Sequence, residues 1–302
     1  MAGHAGSFRE IDEGRIIAKR TNQKEYEIYA SPGELREIIS AVERTGKDNQ
    51  EVSDMGENVV IMQNLFYGIQ AQSLLALDIK IGKSTASRAQ LLESGEKSRA
   101  GAFFKEMKMK LYEHYTRSST RGWRLIPVND GNRTKIGRNS EIFLRKQLDR
   151  ISVDKDAVLR SIISQLDLIK KKMERSQKTF IASSALIVID LQHPEDVRVK
   201  LIDLAHPIDV KNKLFQKDKE NFNEGINALS PCITFFNLIE SIKSKHSDST
   251  FINYIIKNGG KDINLIPDDV LCDIMIKAVD MNSLDILCKE IEDCAAFSSK
   301  LY

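Results

Sequence analysis

The 302 residues are 41% apolar and carry a formal net charge of only +2, enough core for one large domain or two smaller ones and a poor match to a nucleic-acid binder. No apolar run approaches the roughly 18 residues of a membrane span, and the opening MAGHAGSFRE lacks the apolar stretch of an ordinary secretory signal. Cys232, Cys272, Cys288 and Cys294 have no CxxC spacing, so buried reduced thiols in a cytoplasmic setting are expected instead of zinc, with non-classical export left open.

In chain order, Gly14 to Tyr29 reads as a β-hairpin with Thr21-Asn22 at its turn. Ser31-Pro32-Gly33-Glu34 then supplies an N-cap, a proline at the first helical position and a capping-box acid, so a helix is expected with Leu35, Ile38, Ile39 and Val42 on its apolar face. Asn58 to Gln63 and Leu74 to Ile81 read as strands, which makes the first part a small α+β unit. Lys97 to Tyr115 is helical and basic, and Gly122 to Val128 is a short strand. Val158, Ile162, Ile163, Leu166, Ile169 and Met173 recur at threes and fours, the mark of a long amphipathic helix. Phe180 to Asp190 and Val197 to Leu204 read as strands joined by LQHPED, and the remainder reads as helical. No low-complexity linker separates these parts, so they should pack together.

Two stretches stand apart. From Ile81 to Arg124 there are ten Lys/Arg against four Glu, and Arg133, Lys135, Arg138, Arg145 and Lys146 follow. That is either a solvated helix face or a patch for a polyanion such as nucleic acid, a phosphoinositide headgroup or a phosphorylated small molecule. Near the end, TFINYIIKNGGKDIN and the residues from Val270 to Glu290 fit one and a half ankyrin repeats without the T-P-L-H start, or equally a plain helical bundle. One repeat cannot bury its own face, so this tail would pack on the preceding domain, continue into a longer array or bind a partner.

The chemistry concentrates in LLALDIKIGKS, Leu74 to Ser84. Its Gly-Lys-Ser suggests a P-loop, but Leu77 stands where the first glycine must be. Asp78 and Lys80, two apart on a strand, share a face instead. They are either a structural ion pair or an acid and a base serving phosphoryl transfer to a hydroxyl. Asp203, which in VKLIDLAHPI follows a strand and precedes a turn, tips the balance, because a Mg²⁺-binding aspartate occupies that position in two-lobed kinases. Lys19, in RIIAK, stands where such kinases hold nucleotide phosphates. The order Lys19, Asp78, Lys80, Asp203 describes an ATP kinase without a P-loop, and the lack of H-R-D-x-x-x-x-N sets it apart from protein kinases.

With these residues assembled, the sequence resembles the inositol polyphosphate kinases. LLALDIKIG is similar to their P-x-x-x-D-x-K-x-G in Asp78, Lys80 and Gly82, with Leu74 in place of the proline. AGHAGSF resembles the family's opening, and VVIMQNL its I-V-L-E-N-L hinge with Gln63 for glutamate. SSTRGWRLIPV, FIASSALIVID, KLIDLAHPI and FNEGINAL resemble four later blocks in family order. The resemblance implies that Lys19 contacts ATP phosphates, that Gln63 and Leu65 offer hinge backbone to adenine, and that Ser184 lies close to Asp203. It further implies that Asp78 orients the attacking hydroxyl or the nucleotide, that Lys80 binds inositol phosphate and that Asp203 holds Mg²⁺. His206 belongs to the multikinase and hexakisphosphate-kinase ending, or is simply a structural histidine. Arg88, Lys97, Lys105, Lys108 and Arg117 are candidates for the acceptor face, although the segment from Gly82 to Arg121 is longer than the family's.

The expectation is therefore an α+β, two-lobed inositol polyphosphate kinase fold related to protein kinases and ATP-grasp enzymes, with a helical extension. Its divisions fall at residues 1–72 for the ATP lobe, 73–240 for the catalytic and acceptor lobe, and 241–302 for the tail. The expected activity is transfer of the ATP γ-phosphate, with Mg²⁺, to an inositol phosphate. Competing readings keep the ATP site but change the acceptor to a lipid headgroup or protein, or make the chain a non-catalytic polyphosphate sensor with a partner-binding tail.

Overall fold

Two β-rich runs flank Asp12-Glu13-Gly14 near the start of the chain. In the computed structural model they form an antiparallel hairpin of β1 (Phe8–Ile11) and β2 (Ile16–Arg20). The structure describes residues 7–45, 50–93, 98–126, 139–209 and 211–245. The hairpin expected from Gly14 to Tyr29 is therefore displaced: its first strand is β2, but its second is helix α1 (Gln23–Ala30). Asn22 is the physical reason. Its Oδ1 accepts the Glu25 N–H at 2.8 Å, which makes it an N-cap and not a turn residue. Glu25, Ile28 and Tyr29 then fall at helical spacing and are all buried.

The helix expected after Ser31 is also corrected. Only a short 3₁₀ turn forms, Gly33–Leu35, and Val42 lies in a strand, β3 (Val42–Thr45). Leu35, Ile38 and Ile39 are buried as expected, but in a chain of turns instead of a helix. With β4 (Val59–Gln63) the first sheet is complete, in the order β1-β2-β4-β3, all antiparallel. Strand alternation sorts β2: Ile16 and Ala18 pack in a small cluster with Val52 and Met55, while Ile17 joins the main core.

The second sheet has the order β6-β5-β8-β9, also antiparallel, from β5 (Leu74–Ile81), β6 (Trp123–Ile126), β8 (Ser184–Asp190) and β9 (Val197–Ile202). Leu75, Leu77, Ile79 and Ile81 of β5 join the main core, which also contains the apolar stripes of α6 (Lys155–Arg175) and α7 (Gln216–Lys245). The alternate residues Ala76, Asp78 and Lys80 take the opposite face. The expected strand from Phe180 to Asp190 is interrupted: β7 (Lys178–Phe180) leaves the sheet to pair with β10 (Pro207–Asp209), and Ala182, at φ 59°, makes the break. Helices α2 (Arg88–Glu93), α3 (Arg99–Tyr115) and α4 (Ser118–Arg121) fill the connection from β5 to β6, and α5 (Ser140–Leu148) follows β6.

The sheets share one core, in which Ile17 and Met62 of the first sheet cluster with β5, β8 and β9 residues of the second. The turns after the 3₁₀ segment fasten them further. Leu201 N–H donates to Ile38 O and Lys200 Nζ to Glu37 O, each at 2.7 Å. At the far end of β5, Gly82 (φ 105°) donates its N–H to Gly122 O at 2.7 Å. Gly225 of α7 lies so close to both that a Cβ there would sit 2.4 Å from Gly122 O and from Gly82 N. The ankyrin-like segment expected from Thr250 to Glu290 lies outside the described residues.

Candidate active site

The two sheets face each other across a cavity of about 290 Å³. Ile17 and Met62 form the wall on the side of the first sheet, and Leu74, Ala76, Leu186 and Ile202 the opposite wall. The crossing segment Gln63–Phe66 closes one end, while Lys19, Asp78 and Asp203 stand at the other. A flat apolar slot with a hydrogen-bonding edge and a charged end suits a planar base carrying phosphates. The crossing segment is held rigidly: Asn64 Nδ2 donates to Gly14 O at 2.8 Å and its Oδ1 accepts the Phe66 N–H at 3.0 Å. Ser40 Oγ donates to Gln63 O at 2.7 Å, and Arg198 Nη1 donates to Leu65 O at 2.7 Å and Tyr67 O at 3.2 Å.

Lys19 reaches the cavity from β2, and its Nζ lies 2.6 Å from Glu25 Oε1, with both side chains largely buried. The same Oε1 accepts the Leu204 N–H at 3.3 Å, and Asn22 Nδ2 donates to Ala205 O at 3.2 Å. The cap that starts α1 thus also ties that helix to the turn carrying Asp203. Glu25 was not singled out from the sequence. The signal available was Asn22-x-x-Glu25, a capping pattern whose acid turns inward to a lysine instead of back to its cap. Tyr29, one turn along α1, lines the same cavity, and its phenol is pushed far up by burial and then by the charges of Glu25 and Asp203.

Asp78 and Lys80 project from β5 on the cleft face, and Ser184 of β8 lies opposite Lys80 in the ladder. Lys80 does not pair with Asp78. Its Nζ is bonded to the Asp203 carboxylate and to Ala182 O, the latter at 2.6 Å. Asp203 (φ 62°) and Ala182 (φ 59°) are both non-glycine residues in the left-handed region, so local strain accompanies this contact on both sides. Asp78 is buried, and its Oδ1, like Ser184 Oγ, lacks a hydrogen-bond partner of good geometry. Burial is the main cause of its raised pKa, and Asp203 adds to it. Lys80, the nearby Ser184 hydroxyl and Arg124 pull the other way.

The remaining expected residues are dispersed. Lys105 and Lys108 are exposed on α3, and Arg117 is exposed in the αL turn before α4. None of them lines the cavity. Arg88 lies in α2 without a described side chain, and Lys97 is outside the described residues. His206 Nδ1 meets Gln90 Nε2 at 3.1 Å. Lys83 of the false P-loop pairs with Glu224 Oε2 at 2.6 Å. A buried cation unclaimed by the sequence reading is Arg124 of β6, opposite Lys80 in register. Its guanidinium sits over the Tyr112 ring, 5.1 Å from the centroid, and contacts Thr85 and Ser118 oxygens at 3.3 Å. Burial lowers its pKa despite the opposing influence of Tyr112, Glu113 and Asp78. The alternation Trp123-Arg124-Leu125 in GWRLIPV could have placed it on the face of Lys80.

The model of the family described as inositol polyphosphate kinase matches residues 59–237, more than half of the chain. The chain belongs to the inositol polyphosphate kinase family. This inositol polyphosphate kinase is thus a phosphotransferase of two-lobed α+β fold. Its fold is similar to that of the inositol phosphate multikinase Ipk2 of S. cerevisiae, solved in complex with ADP and Mn²⁺. The TM-score is 0.56 at 18% identity, over 74% of this chain and 99% of that one. A second solved structure, of an inositol phosphate multikinase studied with protein engineering, gives a TM-score of 0.50 at 17% identity, over 71% and 99%. No match to a curated protein sequence was found.

Proposed function

We propose that this kinase transfers the γ-phosphate of ATP to a hydroxyl or phosphate of an inositol phosphate with the aid of Mg²⁺. The observation that carries the reading is the convergence of Lys19–Glu25, Asp78 and Lys80–Asp203 at one end of an apolar slot. The multikinase neighbour that holds ADP and Mn²⁺ supports a nucleotide with a divalent ion. Adenine would lie in the slot against the Gln63 and Leu65 backbone. Lys19, held by Glu25, would meet the phosphates, and Ser184 would stand beside them.

Asp203 is the residue that would hold Mg²⁺. Its carboxylate is half-exposed at the cleft mouth, which fits an ion that ordinarily takes one or two carboxylates plus phosphate oxygens and water. The ion would neutralise phosphate charge there. Asp78, with its raised pKa, accepts a hydrogen bond from the attacking hydroxyl and is suited to take its proton. Lys80 offers a cation to the acceptor or transferring phosphate. Such a transfer needs mainly positioning and charge neutralisation, which these groups supply.

Incubation with labelled ATP, Mg²⁺ and a panel of inositol phosphates tests this. Label should move to at least one of them, and Asp203→Ala and Lys80→Ala should each lower the rate about a hundredfold or more. Absence of transfer to every member together with absence of ATP binding would sink the proposal. Label on protein or lipid would change the acceptor alone.

A further inference from the structure

Helix α3 is amphipathic in the wrong sense for a helix that serves only the core. Ala102 and Glu113 face inward, and Ala102 packs with Ala86, Leu91 and Met109. On the opposite face Phe104, Met107, Leu111 and Tyr115 recur at steps of three and four and therefore form one stripe. Phe104 and Leu111 are each 68% exposed and Met107 46%. Large apolar side chains aligned in this way on a surface helix mark an interaction face and not scattered exposure.

The charges on the same helix identify the partner. Lys105 and Lys108 run along one flank of the stripe, and Lys110 and Arg99 along the other. Glu113 is buried, its Oε1 accepting the Thr85 N–H at 2.5 Å and the Thr85 hydroxyl at 2.8 Å. Glu106 is largely buried and pairs with Lys110 at 3.1 Å. The outward face is thus apolar at its centre and cationic on both sides. That is the pattern of a helix lying in the plane of an anionic bilayer, apolar side chains among the acyl chains and lysines at the headgroups. A face-to-face pairing of two copies would bring the same lysines together and is disfavoured by their repulsion.

We propose that α3 seats the kinase on an anionic lipid surface through Phe104, Met107 and Leu111, with Lys105, Lys108 and Lys110 facing the headgroups. Glu113 fixes the inner face of the helix to Thr85, just beyond β5, so the stripe is presented by a helix anchored to the body of the kinase. The inference concerns binding, so it stands or falls apart from turnover.

Sedimentation of the full chain with vesicles tests it, using phosphatidylcholine alone or mixed with about one third phosphatidylserine. The protein should sediment with the mixed vesicles only, and less so as salt is raised. Phe104→Ser with Leu111→Ser should weaken this association at least about tenfold while leaving turnover of a soluble inositol phosphate unchanged. Lys105→Gln, Lys108→Gln and Lys110→Gln should each weaken it about fivefold. Failure of the unaltered protein to sediment with either vesicle overturns the proposal. So does a loss of thermal stability in the serine double variant without vesicle binding, which would mean that the chain covers the stripe itself. A concentration-dependent dimer abolished by the same variant, again without vesicle binding, would assign the face to a second copy.

Discussion

Asp78 is buried at the end of an apolar slot with one carboxylate oxygen lacking a good partner, an arrangement that costs stability. Its folded pKa is raised, so the folded state penalises the ionised form. The sign follows from linkage: above the raised pKa the destabilisation is fully present, and it fades as pH falls from that value to the ordinary carboxylate range. Asp78→Asn should therefore raise the thermal midpoint at neutral pH, while lowering turnover about a hundredfold or more. The gain should shrink toward zero as the pH of the melt is lowered. A variant less stable than the parent at neutral pH would show that the carboxylate contributes more to the fold than burial removes. At this scale the sequence named both charges of DIK but not their partners. Lys80 pairs with Asp203, more than a hundred residues away, because the strand pairing of β5 with β8 and the break at Ala182 bring that turn to its Nζ.

At the scale of elements, the end of β5 is fixed by three glycines from three parts of the chain. Gly82 and Gly122 join the strand ends, and α7 crosses them at Gly225 with no room for a side chain. Gly225→Ala should cost about 1–3 kcal/mol, read as a fall in the urea midpoint. Since the same contact holds the strand carrying Asp78 and Lys80, activity should fall with it. The sequence marked Gly82 as the glycine of the D-x-K-x-G motif, but nothing in FNEGINAL shows which backbone its glycine touches. The long helix on Val158 to Met173 was readable because six apolar positions at helical spacing are a strong local signal, and all but Ile163 are buried. The helix from Gln23 to Ala30 was not, because QKEYEIYA has few apolar residues and alternates like a strand. Its burial depends on the sheet it packs against.

Across the whole molecule, the cleft exists because two sheets share a core while one segment crosses between them. Arg198 of β9 grips that segment at Leu65 O and Tyr67 O and is steadied by Asp196. Arg198→Ala should leave thermal stability nearly unchanged and raise the ATP KM about threefold to tenfold with a smaller effect on kcat, since it removes a charge-assisted hold on the slot and not a group at the phosphates. An unaltered KM would mean that Asn64 and Ser40 hold the segment without it. The sequence by itself determined the α+β class, the long helix, the strands at Val59 to Gln63 and Leu74 to Ile81, and the chemical residue types, because periodicity and residue chemistry are local properties. It also determined the family, through motifs kept in order. Only the tertiary structure decided that Glu25 holds Lys19, that Lys80 faces Asp203, that Arg124 is buried beside them, and that α3 turns its apolar stripe outward. Those facts depend on strand register, on caps that redirect the chain and on which face finds a partner, and none of these is encoded within one segment.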